Sequence, residues 1–268
     1  TVMNNGLERR ILVNCAPIYL EDNQLWAVVG LFNDISERWR FEKLQQNFVA
    51  NVSHELKSPL SSIKGSTEVL ADGVVQDKER KQEYLDIILD ETERLSNMVE
   101  EILDLAELNT NGGNLDLQEV RIKEFLVEVK NIFTKQFAKE DDRLNLELLS
   151  TDFSYSLDKE KIKQVLLNLL DNAYKYSPAD TIVTMGVSEE ADSIKIWVSD
   201  QGPGIPKDEL QDIWKRFYKV DKARTPGKKK GSGLGLSIVK QIIEQHQGQV
   251  FVNSELGEGS TFGFYLSK

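Results

Sequence analysis

The feature that most constrains the fold of this chain is an apolar repeat in the segment from about residue 78 to 109. Apolar or small side chains recur there at alternating intervals of three and four residues. That spacing places them on one stripe of an α-helix, and such a stripe is typical of the seam of a coiled coil or helical bundle. The sequence therefore predicts a long helix whose seam consists of Leu85, Ile88, Thr92, Leu95, Val99, Ile102 and Ala106.

A second helical pattern precedes this one and runs from Asp34 or Ser36 to about Val74. Pro59 falls inside it, so we expect a kink or local irregularity there. The break at residues 73–77 is short, which predicts an antiparallel hairpin of two helices. A pair of helices buries little apolar surface, so we expect a homodimer that completes a four-helix bundle. The alternative is a hairpin that packs on its own downstream domain.

Composition and charge exclude several classes of protein. A chain of 268 residues with 40% hydrophobic residues can form two domains or slightly more. The net charge of −11 argues against nucleic acid as the main partner. The single Cys15 fits a reducing cytosol. The chain contains no run of about 18 apolar residues that could span a bilayer. Because Thr1 follows no initiator Met or signal peptide, we expect a fragment of a longer protein.

The regions on either side of the helices have strand patterns. Residues 9–33 read as two strands around Glu21, Asp22 and Asn23, and we expect the final hairpin of a larger sheet. Asn111 to Asn114 is a strong breaker, after which helices and strands alternate as in an α/β layer. The expected domains are 1–35, 36–110 and 111–268. The last contains strands at 115–119, 143–149, 153–156, 181–188, 193–199, 249–253 and 261–266, and helices at 121–138, 158–175 and 234–245.

The stretch FVANVSHELKSPL, residues 48–60, contains the first chemical candidate. Its centre is His54, one of two histidines in the chain. Val52 and Leu56 each lie about 200° round the helix from His54, so the imidazole should point outward. Glu55 supplies a neighbouring carboxylate and Ser58 a hydroxyl one turn away. The pattern indicates a nucleophile or general base, and the alternative is an ordinary solvated histidine.

A second candidate lies on a helix of the C-terminal half. Asn168, Asn172 and Lys175 recur at positions i, i+4 and i+7 and so share one helix face. The amide oxygen of asparagine suits Mg²⁺, a metal usually held jointly with substrate phosphates. Lys175 adds a positive charge for phosphate. The alternative is a polar, solvated face.

Two glycine-rich segments supply further candidates. Asp200 ends an apolar strand and is followed by Gly202 and Gly204, an arrangement that places an acceptor for an exocyclic amine beside bare backbone. The segment from Gly231 to Ser237, in which Gly233 and Gly235 also occur, begins a helix and suits phosphate. It is neither a Walker A loop nor a dinucleotide fingerprint. Lys228, Lys229 and Lys230 precede it, and we expect a mobile, positively charged lid there. The alternatives are a structural turn and a solvated lysine run, and the turn at 257–262 has little signal of its own.

The order of these segments resembles the H, N, G1, F and G2 boxes of bacterial sensor histidine kinases. The boxes correspond to His54 to Leu60, Asn168 to Asn172, Asp200 to Gly204, Arg216 to Tyr218, and Gly231 to Gly235. The resemblance covers residues 36–268, and the hairpin at 9–33 resembles the end of a PAS domain. The wording around His54 is most similar to the phosphate-responsive PhoR type, with the WalK (VicK) type next.

This resemblance implies a function, a fold and a set of site residues. The implied enzyme phosphorylates His54 from Mg-ATP and passes the phosphoryl group to an aspartate of a response regulator. Glu55 orients the ring, Asn172 binds Mg²⁺, and Asp200 accepts from the adenine amine. The implied fold is a dimeric helical hairpin followed by a Bergerat-type α/β sandwich, cytoplasmic and anchored to the membrane through segments outside this chain. The implied nucleotide-binding residues are Asn168, Asn172, Lys175, Tyr176, Asp200, Gly202, Gly204, Arg216, Phe217, Gly231, Gly233, Leu234, Gly235 and Thr261.

Two positions depart from the family pattern, and two other classes of protein remain open. Ser58 stands where the family's phosphatase motif has Thr or Asn, and Lys57 replaces the usual Arg. A serine hydroxyl can orient water but less rigidly than Thr, so we expect phosphatase activity to be weaker than kinase activity. His246 matches no box and is interpreted as structural.

The first alternative to a histidine kinase is an ATPase of the gyrase and Hsp90 kind that drives a conformational clamp. The second is a scaffold that binds nucleotide without turnover.

Overall fold

A computed structural model describes residues 2–4, 7–110, 115–135, 143–148, 153–220 and 231–267. The chain divides into two compact units, Thr1–Ile88 and Leu89–Lys268. The boundary falls inside the second long helix. Each unit is described by itself.

The N-terminal unit begins with two antiparallel strand pairs. The hairpin predicted at residues 9–33 is present as β3 (Ile11–Tyr19) and β4 (Leu25–Asp34). Asn23 in its turn has a φ of 63°, a conformation that asparagine tolerates better than most residues. A shorter pair, β1 (Val2–Asn4) and β2 (Leu7–Arg9), was not predicted from the sequence. Polar residues interrupt the apolar alternation there and hid the signal.

The first long helix, α1, spans Ser36–Ala71. Its start is fixed by Asp34, whose Oδ1 accepts a hydrogen bond from the Ser36 N–H at 3.0 Å, and by Arg10, whose N–H donates to Ser36 Oγ at 2.8 Å. The helix continues through Pro59, which is buried, and the kink expected there stays a prediction. It ends before Gly73, which has a φ of 65°.

The second long helix, α2, spans Lys78–Thr110 and belongs to the C-terminal unit from Leu89 onward. Within that unit its buried side chains are Met98, Leu105 and Leu108, none of which belongs to the predicted seam. Val99, a seam residue, is 47% exposed. The prediction placed the seam correctly on a helix but missed a second apolar stripe. That second stripe packs on the rest of the C-terminal unit and leaves seam residues such as Val99 exposed.

The rest of the C-terminal unit is an α/β layer. A five-stranded sheet has the order β10-β11-β9-β8-β6, in which only β6 and β8 are parallel, and β5 pairs with β7 separately. The strands are β5 (Leu117–Arg121), β6 (Leu144–Glu147), β7 (Ser154–Asp158), β8 (Val183–Glu189), β9 (Ser193–Asp200), β10 (Gln249–Glu255) and β11 (Gly259–Ser267). The helices are α3 (Ile122–Phe133), α4 (Lys159–Tyr176) and α5 (Gly235–Gln245).

The core of this unit follows from the periodicity of its elements. In β9 every second residue is fully buried, namely Ile194, Ile196 and Val198. The apolar face of α4 is buried at Ile162, Val165, Leu166, Leu169, Leu170 and Ala173. The predicted mixed architecture of a helical hairpin followed by an α/β domain is therefore confirmed. The predicted helix at 121–138 ends at Phe133, and residues 136–142 lie outside the described residues. None of the described helices has a stretch long and apolar enough to cross a membrane.

Candidate functional site

His54 lies on the surface of α1, as its position in the pattern predicts. The side chain is exposed, whereas Val52 and Leu56 on the other side of the helix are half-buried. Glu55 is half-buried beside it, and Ser58 is exposed one turn further on. The imidazole is therefore accessible to a partner from outside the helix.

The second helix of the site, α4, has a defined start. Asp158 caps it, because its Oδ1 accepts a hydrogen bond from the Lys161 N–H at 3.1 Å. The Asp158 N–H donates to Nε2 of His246 at 3.2 Å, and Nδ1 of His246 lies 2.8 Å from the Ile242 carbonyl oxygen. His246 is thus neutral with the proton on Nδ1. Burial lowers the pKa of His246, and the ring joins the end of α5 to the start of α4. This geometry fits the structural role expected from the sequence.

The polar face of α4 lies against the glycine-rich segment. A Cβ placed on Gly231 would lie 2.8 Å from Nζ of Lys175, and one on Gly235 would lie 3.6 Å from Oδ1 of Asn168. The two glycines therefore leave open the space in front of a cation and an amide oxygen. Asn172, which lies between Asn168 and Lys175 on α4, is half-buried. The structure brings together two clusters that the sequence separates by about 60 residues.

Lys175 is the cation of this cluster. Burial lowers the pKa of Lys175, and the carboxylates of Asp171 and Glu101 oppose that shift. Arg94 and Lys219 add positive charge near it. An opening with bare backbone and several cations attracts a polyanion.

Asp200 forms the other end of the site. It is buried at the end of β9, and its Oδ1 accepts a hydrogen bond from the Gly202 N–H at 2.7 Å. Burial raises the pKa of Asp200, while the backbone N–H groups of Gly202 and Ser260 lower it. A Cβ on Gly202 would lie 2.7 Å from Oδ1 of Asp200 and 3.2 Å from the Tyr176 carbonyl oxygen, so a side chain here would displace the carboxylate. Tyr176 itself is half exposed at the rim.

The turn after Asp200 is held by close backbone contacts. Gly204 has a φ of 69°, and a Cβ there would lie 2.0 Å from the Glu255 carbonyl oxygen. The Ile205 N–H donates to Ser254 Oγ at 2.8 Å. Thr261 on β11 shares a hydrogen bond with Ser199 at 2.9 Å, one residue from Asp200. Thr261 thus supports the strand end that carries the carboxylate.

The residues before the glycine-rich segment are tied to it. The Phe217 N–H donates to the Gly233 carbonyl oxygen at 2.8 Å, and Phe217 has a φ of 60°. Gly233 has a φ of 79°, and a Cβ there would lie 2.9 Å from the Tyr218 carbonyl oxygen. Leu234 is fully buried at the start of α5, and Arg216 is exposed near Gln241. The lid expected around Lys228, Lys229 and Lys230 falls within residues 221–230, which lie outside the described residues.

Two polar residues of the site were missed by the sequence interpretation. Glu101 on α2 receives a hydrogen bond from the Ser232 hydroxyl and lies near Lys175. Ser177, directly after α4, is buried, and its Oγ has no hydrogen-bond partner among the described residues. A second apolar stripe at Met98, Leu105 and Leu108 with Glu101 between them was the available signal for the first. For Ser177 the sequence offers no signal beyond its position next to Tyr176.

Two family models match this chain. Residues 44–111 match the His Kinase A (phospho-acceptor) domain, which includes His54. Residues 157–268 match the histidine kinase-, DNA gyrase B- and HSP90-like ATPase domain, which includes Asp200 and all of the glycine-rich segments. The two matches follow each other in the same order as the helical hairpin and the α/β layer.

Individual relatives agree with the family models. The sensor protein SrrB of Staphylococcus aureus is 39% identical over 249 residues, which are 90% of this chain and 41% of that protein. The histidine kinase AdeS of Acinetobacter baumannii has a TM-score of 0.62 at 26% identity, over 80% of this chain and 97% of that one. ShkA, solved with AMPPNP, has a TM-score of 0.57 at 25% identity, over 82% of this chain and 45% of that one. This chain thus spans less than half the length of SrrB.

Proposed function

The chain belongs to the bacterial sensor histidine kinases, and on that premise we propose that it transfers the γ-phosphoryl group of ATP to His54 and then to an aspartate of a response regulator. The observation that carries the proposal is the meeting of Lys175 and Asn168 with Gly231 and Gly235. An open, cationic cradle of this kind fits a nucleotide's phosphates. The match of the phospho-acceptor model to the helix with the exposed His54 supplies the second half of the reaction.

The chemistry asked of His54 is a nucleophilic substitution at phosphorus. The unprotonated ring nitrogen forms a bond to the γ-phosphorus, and the bond from that phosphorus to the bridging oxygen breaks, so ADP leaves with the electron pair. Glu55 accepts the proton of the other ring nitrogen and keeps the ring oriented. The phosphoramidate then loses its phosphoryl group to a carboxylate of the partner. In such reactions the protein contributes chiefly positioning and charge neutralisation.

The residues of the pocket take distinct roles in nucleotide binding. Asp200 accepts a hydrogen bond from the adenine amine, and Lys175 neutralises phosphate. The set formed by Tyr176, Arg216, Phe217, Leu234 and Thr261 shapes the walls around the glycines. Asn172, with Asn168 beside it, would hold Mg²⁺, because the amide oxygen of asparagine is a ligand that this metal accepts together with substrate phosphates. When bound, Mg²⁺ neutralises phosphate charge.

The proposed partners are a second copy of the chain and a response regulator. The second copy covers the open seam of α2, which includes the exposed residues Leu85 and Val99. Its formation is tested by sedimentation of the intact chain, in which Leu85→Glu should weaken association about tenfold or more, since a charge then enters the seam. Membrane anchoring and a PAS identity for the N-terminal hairpin belong to the proposal as well. The PhoR-type or WalK-type subgroup stays a prediction.

The decisive experiment is incubation with Mg-ATP labelled at the γ-position. We expect a protein-bound label that is stable in alkali and labile in acid, lost in His54→Ala and kept in His246→Gln, the variant at the other histidine. Release of free phosphate without a protein-bound label would overturn the proposal and favour a clamp-type ATPase. Nucleotide binding with neither product would favour a scaffold.

A second experiment concerns Ser58. With a phosphorylated response regulator as substrate, wild-type chain should release phosphate slowly and Ser58→Ala should release less, whereas Ser58→Thr should release more because its χ1 is stiffer. Phosphatase activity that is equal in all three chains would remove the role given to this hydroxyl.

A further inference from the structure

The C-terminal half of α2 docks on the nucleotide-binding domain through one helix face. This docking face consists of Met98, Glu101, Leu105 and Leu108, which follow each other at intervals of three or four residues. Met98 and Leu105 are each 1% exposed. Two hydrogen bonds fix the contact: Gln164 Nε2 on α4 donates to Asp104 Oδ2, and Gln245 Nε2 on α5 donates to the Leu108 carbonyl oxygen at 3.0 Å. The face therefore contacts both helices that carry the nucleotide boxes.

Of the two acidic residues of α2 at this contact, Asp104 bonds to Gln164 on α4, and Glu101 lies at the phosphate end of the pocket. The Ser232 hydroxyl donates to its carboxylate and also accepts from the Leu234 N–H at 3.1 Å. Lys175, whose Nζ faces Gly231, supplies the positive charge that favours the ionised carboxylate of Glu101. Oε2 of Glu101 is buried and accepts no hydrogen bond from the described residues. A carboxylate of α2 thus occupies the surroundings that the glycine-rich segment offers to an anion.

The chemistry of that position is shared between a carboxylate and a phosphate. Both are anions with several acceptor oxygens, and both bind hydroxyls, ammonium groups and backbone N–H groups. Asp171 and Glu101 already place negative charge near Lys175, so a phosphate that approaches this lysine in a partly buried site is strongly repelled while Glu101 is in place. The docked carboxylate is also poorly solvated, since burial raises the pKa of Glu101 against the effect of Ser232 and Lys175. A better neutralised anion can therefore displace it.

We propose that Glu101 is an internal competitor of the nucleotide, so that docking of α2 and binding of the phosphates of ATP at Lys175 and Ser232 exclude each other. The inference rests on the proposed function, because it assumes that ATP binds this pocket. Its consequence is regulation of the same site. Any movement of α2 that withdraws Glu101 raises the affinity for ATP, and ATP in turn releases α2 from α4 and α5.

The effect on affinity has a simple form. When only a fraction of molecules has the phosphate site open, the apparent dissociation constant is the intrinsic one divided by that fraction. If about nine-tenths of the molecules are docked, removal of the competing charge lowers the apparent dissociation constant about tenfold. The change falls on the phosphates alone, because Asp200 at the adenine end lies on β9 and is not part of the docking face.

The test compares Glu101→Gln with Glu100→Gln in the intact chain. Glu100 is the neighbouring exposed carboxylate on the same helix, so both variants lose one charge. Calorimetry with Mg-ATP should give a dissociation constant about tenfold lower for Glu101→Gln and unchanged for Glu100→Gln, and adenosine should bind all three chains equally. Equal affinities in all chains, or equal gains in both variants, would overturn the inference. Weaker binding by Glu101→Gln would also overturn it, since Glu101 would then be part of the nucleotide site.

A second measurement follows α2 itself. In a Cys15→Ser background, Leu105→Cys places a thiol on the docking face, and its rate of reaction with a maleimide reports undocking. Saturating Mg-AMPPNP should raise that rate at least several-fold, whereas adenosine should leave it unchanged. A thiol that reacts equally fast with and without AMPPNP would contradict the competition. Failure of the wild-type chain to bind Mg-ATP at all would instead remove the proposed function, so the two failures are distinguishable.

Discussion

The two units of this chain use their apolar residues in opposite ways. In the C-terminal unit most of the large apolar side chains of the sheet and of α3 to α5 are buried, and Leu166 and Phe264 are fully inaccessible. In the N-terminal unit such side chains stay at the surface, with Phe32 at 70% and Phe41 at 68% exposure. Among the described residues, every buried aliphatic or aromatic side chain except that of Pro59 lies at Met98 or later. One unit is therefore stabilised by its own core, and the other needs association to cover its apolar surface.

Under the proposed function, this difference separates two chemical tasks. A nucleotide pocket needs donors and acceptors held in place by a packed core, which the C-terminal unit provides behind Asp200 and Lys175. The proposed phosphoacceptor must reach bound ATP and then a response regulator, so it suits a helix surface such as that of His54.

The largest effect expected from this comparison is on stability. Leu166→Ala should lower the free energy of unfolding of the C-terminal unit by about 2–5 kcal/mol, because it leaves a cavity in the core. Leu44→Ala, at a position 68% exposed on α1, should change the free energy of unfolding of the C-terminal unit by less than about 0.5 kcal/mol. Hydrogen exchange of the α4 amides in the intact chain measures both changes. A comparable loss in both variants would mean that the two units do not differ as described.

A smaller effect is expected from a pair of glycines. Gly204→Ala combines a φ of 69° with a Cβ 2.0 Å from a backbone oxygen, and it should destabilise the C-terminal unit by roughly 1–3 kcal/mol. Gly65→Ala, in the middle of α1 with nothing within 4 Å of the new Cβ, should instead stabilise its helix by about 0.5–1 kcal/mol. Thermal unfolding followed by circular dichroism checks both signs. A stabilising Gly204→Ala would show that the turn after Asp200 is more open than these contacts require.

Most of the fold could be predicted from the sequence because local patterns specify it. The two strands around Asn23, the two long helices and the alternating elements after residue 115 all follow from periodicity and breakers, and their bounds agree to within a few residues. The meeting of Lys175 with Gly231 has no local signal, since it depends on how α4 and α5 pack. Family resemblance, rather than spacing, supplied that expectation.

The role of α2 shows where pattern reading fails. The 3,4 repeat from Leu85 to Ala106 was obvious, whereas the second stripe is shorter and contains Glu101, which reads as a solvated charge. A helix with two apolar stripes has two partners, and the sequence alone does not rank them. Burial of Leu105 and Leu108 in this chain identifies the stripe that packs within one subunit.

The smallest effect distinguishes the two histidines, one in each unit. Burial lowers the pKa of His246 in the folded chain, so as the pH falls below about 6.5 the unfolded chain takes up a proton first. The stability of the C-terminal unit should therefore decrease with falling pH from about 6.5 until the folded His246 is protonated as well. Protonation also removes the Nε2 acceptor from the Asp158 N–H at the start of α4. Urea unfolding of the intact chain between about pH 5.5 and 8 measures how the free energy of unfolding depends on pH. The difference between wild type and variant separates the contribution of the histidine from that of the carboxylates.

His246→Gln is the informative variant, because an amide oxygen and an amide N–H can replace the two ring contacts without titrating. It should flatten the decrease in stability with falling pH. His54→Gln, which changes an exposed side chain on the surface of α1, should retain the wild-type slope. A slope that survives in His246→Gln and disappears in His54→Gln would reverse the comparison, because the histidine assigned to chemistry would then be the one that stabilises the fold.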